Sequence, residues 1–415
     1  MIKIDPINLD KPQTYFKISS LLDGINKRKQ GFYSYIDDTK YVRKITEYST
    51  LNKGKFDYFV VLGIGGSALG TICLDQALSH LYREKKLFVL DNIDPAMMSE
   101  ILDVIKLKKT LFMVVTKSGG TPETLSQYYY FRKLIEEHSL KVKKHFIFIT
   151  DPKIGLLRKI ADEEEIQSFE IPENIGGRFS VLTAVGLLPS SLLGMDINKL
   201  LKGAKKMRDQ FLSERIDKNL PFKLALMQYE MAKKGHTQNV MMVYNQKLIR
   251  FADWYRQLLA ESTGKEKNNQ GKIVNIGLTP INALGVTDQH SQSQLYNEGP
   301  NDKFFIFLSA KESGPQIIIP VNPNHEATTY LKNVTFDQLL KTELKATRDS
   351  LAKNKRPSIL ISIDKIDEET LGGLFMLFMG ATAFLGEMFD INAFDQPGVE
   401  TSKILTKKYL TKKNE

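Results

Sequence analysis

Two glycine-rich turns, each following an apolar run, contain residue types that could bind an anion. The first reads FVVLGIGGSALG over residues 59–70, and the second reads VTKSGGTPETL over residues 115–125. Glycines let a ligand approach the backbone, and free N–H groups at the start of a following helix attract negative charge. The second turn adds the hydroxyls of Thr116, Ser118 and Thr121. Several O–H and N–H donors in so short a stretch suit the charged oxygens of a phosphate monoester.

Both turns also permit other interpretations. Gly63, Gly65 and Ala68 match the G-x-G-x-x-G/A fingerprint of dinucleotide-binding enzymes. Asp91 ends the next apolar run, where a ribose-binding acid would lie. A nicotinamide enzyme, or a tight turn without a ligand, is therefore an alternative for the first turn. The second turn, with Thr121 as N-cap and a proline after it, is also compatible with a simple capped helix start.

The turns lie within a chain that alternates between strand and helix patterns. The first set of apolar, β-branched runs covers residues 58–62, 87–90, 111–116 and 145–150. The second set covers residues 240–244, 273–276, 303–308 and 358–363. Helical periodicity between the runs predicts βαβ units, and hence an α/β fold of two similar domains with doubly wound parallel sheets. The predicted division is a helical N-terminal extension over residues 1–44, domains over 45–220 and 221–395, and a C-terminal helix or tail over 396–415.

Composition limits the classes of function. The chain has 415 residues and a formal net charge of +10, which favours anionic partners, but it lacks the dense basic runs typical of nucleic-acid binding. Cys73 is the only cysteine, so neither an internal disulfide nor a cysteine metal cluster is expected. The first residues lack the apolar centre of a signal peptide, and no apolar run approaches the length that spans a bilayer. We therefore predict a cytoplasmic protein without nucleic-acid or membrane partners.

The two turns together resemble the sugar isomerase (SIS) domain, a flavodoxin-like fold that binds phosphosugars. NIGGRFSVLTAVG (174–186) and FDQPGVETSK (394–403) are similar to the two signatures of the glucose-6-phosphate isomerase family. DQHSQSQLYNEG (288–299) is similar to the histidine segment of that family. The resemblance implies interconversion of glucose 6-phosphate and fructose 6-phosphate, as in glycolysis and gluconeogenesis. It also implies that no metal or other cofactor is needed and that the protein is a homodimer whose active sites use residues from both subunits.

Aldose–ketose isomerisation requires an acid for the ring oxygen, a carboxylate base, a cation near the enediolate and donors for the phosphate. Glu261 is the candidate base. Phe251, Trp254 and Leu258 recur at helical spacing, and Glu261 follows three residues later on the same apolar face. Gly264 marks the end of that helix. A solvated glutamate at a frayed helix end is the alternative, and the resemblance favours the base.

The resemblance also implies the other roles in the site. Arg178, after two glycines, would stabilise the enediolate, or otherwise serve as a structural ion-pair partner. His290 corresponds to the histidine that assists ring opening and that relatives take from the neighbouring subunit; an exposed loop histidine is the alternative. Lys403 corresponds to the C-terminal catalytic lysine of the family, and a solvated helix lysine is the alternative. Gln396 would contact a sugar hydroxyl. The implied phosphate ligands are Gly66, Ser67, Thr116, Lys117 through its backbone N–H, Ser118 and Thr121.

Other functions on the same fold stay open at this point. The second turn reads Ser118-Gly119-Gly120-Thr121 where longer relatives have bulkier residues, and the chain is short for the larger branch of the family. Both features leave room for a bifunctional isomerase that also accepts mannose 6-phosphate. A non-catalytic phosphosugar-binding protein is the other alternative, and such a protein would lack the candidate base, histidine and lysine.

Overall fold

The computed structural model describes residues 1–322 and 324–414, with side chains as far as residue 411. The protein has an α/β fold with two five-stranded sheets and a small two-stranded hairpin. The strands, in chain order, are β1 Ile2–Ile7, β2 Tyr58–Leu62, β3 Lys86–Leu90, β4 Thr110–Val115, β5 Phe146–Thr150, β6 Ser168–Glu170, β7 Gln238–Val243, β8 Lys265–Lys267, β9 Ile273–Ile276, β10 Thr279–Leu284, β11 Lys303–Glu312 and β12 Ser358–Lys365. The helices are α1 Ile18–Lys27, α2 Thr39–Asn52, α3 Leu69–Leu78, α4 Pro95–Val104, α5 Pro122–Glu137, α6 Val142–His145, α7 Leu156–Glu163, α8 Ala184–Leu192, α9 Ile197–Phe211, α10 Leu220–Lys233, α11 Ile249–Thr263, α12 Ser293–Glu298, α13 Phe336–Lys353, α14 Glu368–Met388 and α15 Glu400–Asn414.

The first sheet is parallel throughout, with strand order β3-β2-β4-β5-β6. Its strands are nearly continuous apolar runs because both faces are covered. Val60 and Leu62 of β2 face one buried cluster, while Phe59 and Val61 face the large central cluster. β2 and β4 are neighbours, and Leu62 lies opposite Val114. Since parallel strands end at the same edge of a sheet, the two glycine-rich turns that follow them are adjacent.

The second sheet has strand order β1-β12-β11-β7-β10 and differs from the prediction in two places. Residues 273–276 form β9, which pairs with β8 in the separate hairpin, and the unpredicted β10 takes the place beside β7. The side chains of β9 are largely exposed, so its apolar residues do not belong to the core of a sheet. The N-terminal extension, predicted to be helical, begins with β1, which pairs antiparallel with β12. The alternation of Ile2 and Ile4 with polar residues has the period of a strand.

The helix α14 is the centre of the apolar core between the two sheets. It is 21 residues long and, by length and composition alone, apolar enough to cross a membrane, yet 94% of its apolar window is buried inside the protein. Helices α9, α10 and α11 pack around it. The prediction that no apolar run approaches the length of a membrane span is therefore wrong, and the run is a buried core helix. In contrast, α15 has exposed side chains throughout its described part.

Candidate active site

The turn after β4 holds three hydroxyl groups close together. The Thr116 Oγ1 atom lies 2.7 Å from Thr121 Oγ1 and 3.4 Å from Ser118 Oγ, and the latter two are 3.4 Å apart. Thr121 is the N-cap of α5 with proline after it, as predicted, but its side chain makes no capping hydrogen bond. The hydroxyl is therefore not committed to the helix, and together the three groups form a donor cluster, which we call the hydroxyl cradle.

Two adjacent glycines shape the cradle in different ways. Gly119 has a φ of +65°, and a Cβ there would lie 2.9 Å from the backbone nitrogen of Leu156. This left-handed backbone packs the turn onto the loop after β5 and favours glycine. A Cβ on Gly120 would meet nothing nearer than the Ser118 carbonyl oxygen at 3.9 Å, so that position faces open space. The turn thus requires Gly119 for its path, whereas Gly120 leaves the cradle accessible.

The first glycine turn lies between the cradle and the rest of the site. Gly65–Ser67 form a 3₁₀ turn, and α3 begins only at Leu69. Ala68 occupies the N-cap of this helix, so Ser67 does not cap it. A Cβ on Gly66 would lie 2.3 Å from the carbonyl carbon of Gly177. The turn is therefore pressed directly against the segment that carries Arg178.

Arg178 is buried, with 3% of its surface exposed, and its guanidinium joins its own segment to the end of α11 and to residues 393–396. Nε donates to Ser262 Oγ at 2.8 Å, and Nη1 donates to Glu261 Oε2 at 3.2 Å and to Gln396 Oε1 at 2.8 Å. Nη2 donates to the carbonyl oxygens of Ala393 at 2.6 Å and Asp395 at 3.0 Å. Burial lowers the pKa of the guanidinium, and the Glu261 carboxylate opposes that shift. The result is a fixed, desolvated cation beside the candidate base.

Glu261 lies on the apolar face of α11 in the last turn before Gly264, as its spacing predicts. The face is anchored by Phe251, Trp254 and Leu258, all buried in the central core. The Glu261 side chain is 33% exposed, so it is held by the core yet reachable by a substrate. One carboxylate oxygen accepts a hydrogen bond from Arg178. The other accepts one from Gln257, which lies one helical turn earlier. This geometry suits proton transfer by a positioned carboxylate.

The Lys117 side chain points away from the hydroxyl cradle. Its Nζ atom donates to the carbonyl oxygens of Glu173 at 2.7 Å and Ile175 at 3.1 Å. The Glu173 carboxylate pairs instead with Lys153 at 2.9 Å. Burial lowers the pKa of the Lys117 amine. Lys117 therefore ties the cradle to the segment leading to Arg178, and its backbone N–H is the group that remains for a ligand.

Two predicted catalytic residues lie outside this cluster. His290 ends the 3₁₀ turn Thr287–His290 after β10, and its side chain is exposed. Within the described part of the chain, His290 makes no hydrogen bond to Glu261 or Arg178. Lys403 lies on α15, 57% exposed, and its Nζ donates to Glu400 at 2.7 Å. A single chain thus brings together Arg178, Glu261 and Gln396 but not the histidine or the lysine.

Two residues of the cluster are not among the site residues that the sequence predicts. Gln257 donates to Glu261 Oε1 at 2.9 Å, and its own Oε1 is buried without a hydrogen-bond partner among the described residues. Because Gln257 precedes Glu261 by one helical turn, its spacing alone could have identified it. Lys265 donates to the Glu261 carbonyl at 2.8 Å and to the Asp395 carbonyl at 2.6 Å. No local signal distinguishes it, since a lysine just after a helix is ordinarily solvated.

Sequence and structure comparisons find relatives over almost the whole chain. A sequence model of the family described as phosphoglucose isomerase matches residues 39–415. The glucose-6-phosphate isomerase of Carboxydothermus hydrogenoformans is 41% identical to this chain, over 94% of this chain and 88% of that protein. A solved hypothetical protein of Thermus thermophilus superposes with a TM-score of 0.89 at 36% identity, covering 95% of this chain and 94% of that one.

A more distant solved structure shares the fold. The glucose-6-phosphate isomerase of Chlamydia trachomatis superposes with a TM-score of 0.80 at 24% identity, covering 98% of this chain and 77% of that chain. The predicted α/β fold with parallel sheets and the predicted family are both confirmed. The chain belongs to the phosphoglucose isomerase family.

Proposed function

We propose that this chain interconverts glucose 6-phosphate and fructose 6-phosphate through a cis-enediolate, with Glu261 as the base. The observation that carries the proposal is the contact of Arg178 with Glu261 at 3.2 Å, next to the glycine turn that separates them from the hydroxyl cradle. Membership of the family supports the same activity. The alternatives of a bifunctional glucose and mannose isomerase, a non-catalytic sugar-binding protein and a nicotinamide enzyme are not favoured.

The hydroxyl cradle would hold the phosphate, the end of the substrate that does not react. Thr116, Ser118 and Thr121 donate O–H groups, and in the structure these hydroxyls bond to one another. Ser67, with backbone N–H groups of Gly66 and Lys117, completes the set of proposed ligands. Hydrogen bonds to a charged group are stronger than those between neutral groups, so a dianion would displace the hydroxyl–hydroxyl contacts.

The other end of the sugar would lie between Glu261 and Arg178. Glu261 takes the proton from C2 of the open-chain sugar and returns it to C1, while the hydroxyl proton moves between the two oxygens. Arg178 stabilises the negative charge that develops on the enediolate, because its cation is already desolvated and fixed by five hydrogen bonds. Gln396, whose Oε1 accepts from Arg178, would contact a sugar hydroxyl.

We propose further that a homodimer completes the site. His290 would open the sugar ring in the site of the neighbouring subunit, since it is exposed and makes no hydrogen bond to the described Glu261 cluster of its own chain. Lys403 would join the site when α15, whose side chains are exposed, packs in the assembly. A cytoplasmic location and the division into domains at residues 45–220 and 221–395 also remain predictions.

A solvent-exchange assay tests both the reaction and its route. Glucose 6-phosphate is incubated with the enzyme in D₂O, and the fructose 6-phosphate is analysed for deuterium at C1. Proton transfer through a carboxylate predicts deuterium at C1, whereas a direct hydride shift would carry the original hydrogen there. Glucosamine 6-phosphate and mannose 6-phosphate serve as comparison substrates. A folded protein that gives no fructose 6-phosphate would refute the proposed function.

A further inference from the structure

Lys265 is a buried cation for which the proposed reaction has no use. It follows Gly264 at the end of α11 and opens β8, and its side chain is 6% exposed. The Nζ atom donates to the carbonyl oxygen of Glu261 at 2.8 Å and to that of Asp395 at 2.6 Å. It also pairs with the Asp395 carboxylate at 3.3 Å. The ammonium group is therefore fixed at the junction of the base helix and the segment that carries Gln396.

Stability alone gives a weak reason for a cation at this position. Burial and the nearby Arg178 guanidinium both lower the pKa of the Lys265 amine, which means that the charged form is disfavoured there. A buried ion pair can often be replaced by apolar side chains without loss of stability. Its Nζ–oxygen contacts, rather than its charge, point to what the side chain does.

Those contacts clamp one loop from two sides. Residues 393–396 receive hydrogen bonds from Arg178 at the carbonyls of Ala393 and Asp395 and at the side chain of Gln396. Lys265 donates to the same Asp395 carbonyl, so both lone pairs of that oxygen are used. Because Lys265 also holds the Glu261 carbonyl, the loop and the base helix are joined through one amine.

We propose that Lys265 is a positioning residue that holds the 393–396 loop against the end of α11, and thereby aligns Gln396 and the start of the C-terminal segment with Glu261. The inference rests on the proposed function. Its effect is on the transition state rather than on phosphate binding, because the hydroxyl cradle belongs to other elements. A displacement of about 1 Å in such an arrangement can lower the rate by roughly 100-fold.

The test compares Lys265→Met with Lys303→Met in the full-length protein. Lys303 is a matched control because its side chain is 5% exposed and pairs with Asp302 at 2.6 Å, at the start of β11. We expect Lys265→Met to lower kcat by roughly 10- to 100-fold. The KM for glucose 6-phosphate and the inhibition constant of inorganic phosphate should stay within about twofold of the unmodified enzyme. Lys303→Met should lower the melting temperature and leave kcat unchanged.

Amide hydrogen exchange and a second variant complete the test of Lys265. Amide hydrogen exchange over residues 393–399 should be faster in Lys265→Met than in Lys303→Met, and this readout does not depend on activity. If Lys265→Met does not fold, Lys265→Gln replaces it, because its amide end is polar but one atom shorter than the amine, and the expected fall in kcat is again roughly 10- to 100-fold. The proposal is overturned by an unchanged kcat in the folded variant, by unchanged exchange, or by a loss of phosphate affinity as large as the loss in kcat. An inactive but normally folded parent protein would instead reject the proposed function.

Discussion

Thr121→Ala is the cleanest perturbation of the proposed phosphate site. The Thr121 hydroxyl lies 2.7 Å from Thr116 Oγ1 and 3.4 Å from Ser118 Oγ, and it makes no capping bond to α5. Its removal therefore leaves the helix cap as it was and exposes no unpaired backbone group. The change should act on the ligand and not on the fold.

The expected magnitude follows from the charge of the ligand. A hydrogen bond to a charged group contributes about 1.5–3 kcal/mol, which corresponds to a roughly 10- to 150-fold change in affinity. Phosphate is held equally in the ground state and in the transition state, so the loss should appear in KM with kcat nearly unchanged. The inhibition constant of inorganic phosphate should rise in parallel, and that value reports binding without any contribution from the chemical step.

Thr335→Ala is the matched control, because Thr335 is the N-cap of α13 and does use its side chain. Its Oγ1 accepts from the backbone N–H of Gln338 at 3.1 Å within a capping box. Loss of such a cap costs about 0.5–2 kcal/mol of stability. We expect Thr335→Ala to lower the free energy of unfolding with KM unchanged, and Thr121→Ala to do the reverse. If Thr121→Ala lowered stability while KM and phosphate inhibition stayed the same, the hydroxyl would be structural and the cradle wrongly identified.

Three other predictions address separate parts of the structure. Gly119→Ala should lower the free energy of unfolding by about 1–3 kcal/mol, because the φ of Gly119 is +65°. Gly120→Ala should change that free energy by less than about 0.5 kcal/mol. Equal effects of the two variants in urea titrations would contradict the assigned turn. Burial raises the pKa of the Cys73 thiol, so iodoacetamide at pH 8 should label it only after unfolding. Labelling is followed by mass spectrometry, and rapid labelling of the native protein would be inconsistent with the buried position of the thiol. Lys403→Ala should leave the melting temperature unchanged because its pair with Glu400 is exposed, yet lower kcat about tenfold or more; an unaffected kcat would remove it from the proposed site.

The local patterns of the sequence were sufficient for much of the first sheet and for the candidate base. Buried parallel strands are continuous apolar runs, so β2 and β4 could be located to within a residue of their observed ends. The position of Glu261 followed from the 3.6-residue period of α11, because the helix has one apolar face. Adjacency of the two glycine turns then follows from the parallel order of the strands.

Features that depend on distant pairing could not be predicted in the same way. The alternation of Ile2 and Ile4 has the period of a strand, but no nearby residue reveals that Ile2 pairs opposite Ile363. β9 has an apolar composition but lies in an exposed hairpin, so the prediction from composition that it belongs to the second sheet is wrong. The hydrogen bonds of Lys265 join segments 130 residues apart, and only the folded chain brings them together.

The role of Glu261 as the base is tested by kcat for Glu261→Gln, in an assay that couples glucose 6-phosphate formation from fructose 6-phosphate to a dehydrogenase. Glutamine keeps the size of the side chain and an oxygen that can accept from Arg178, but it cannot take up the proton. Proton transfer by a positioned base contributes about 10²- to 10⁴-fold to a rate, so kcat should fall by that factor with the melting temperature nearly unchanged. A folded Glu261→Gln enzyme whose kcat stays within tenfold of the parent would show that another group moves the proton.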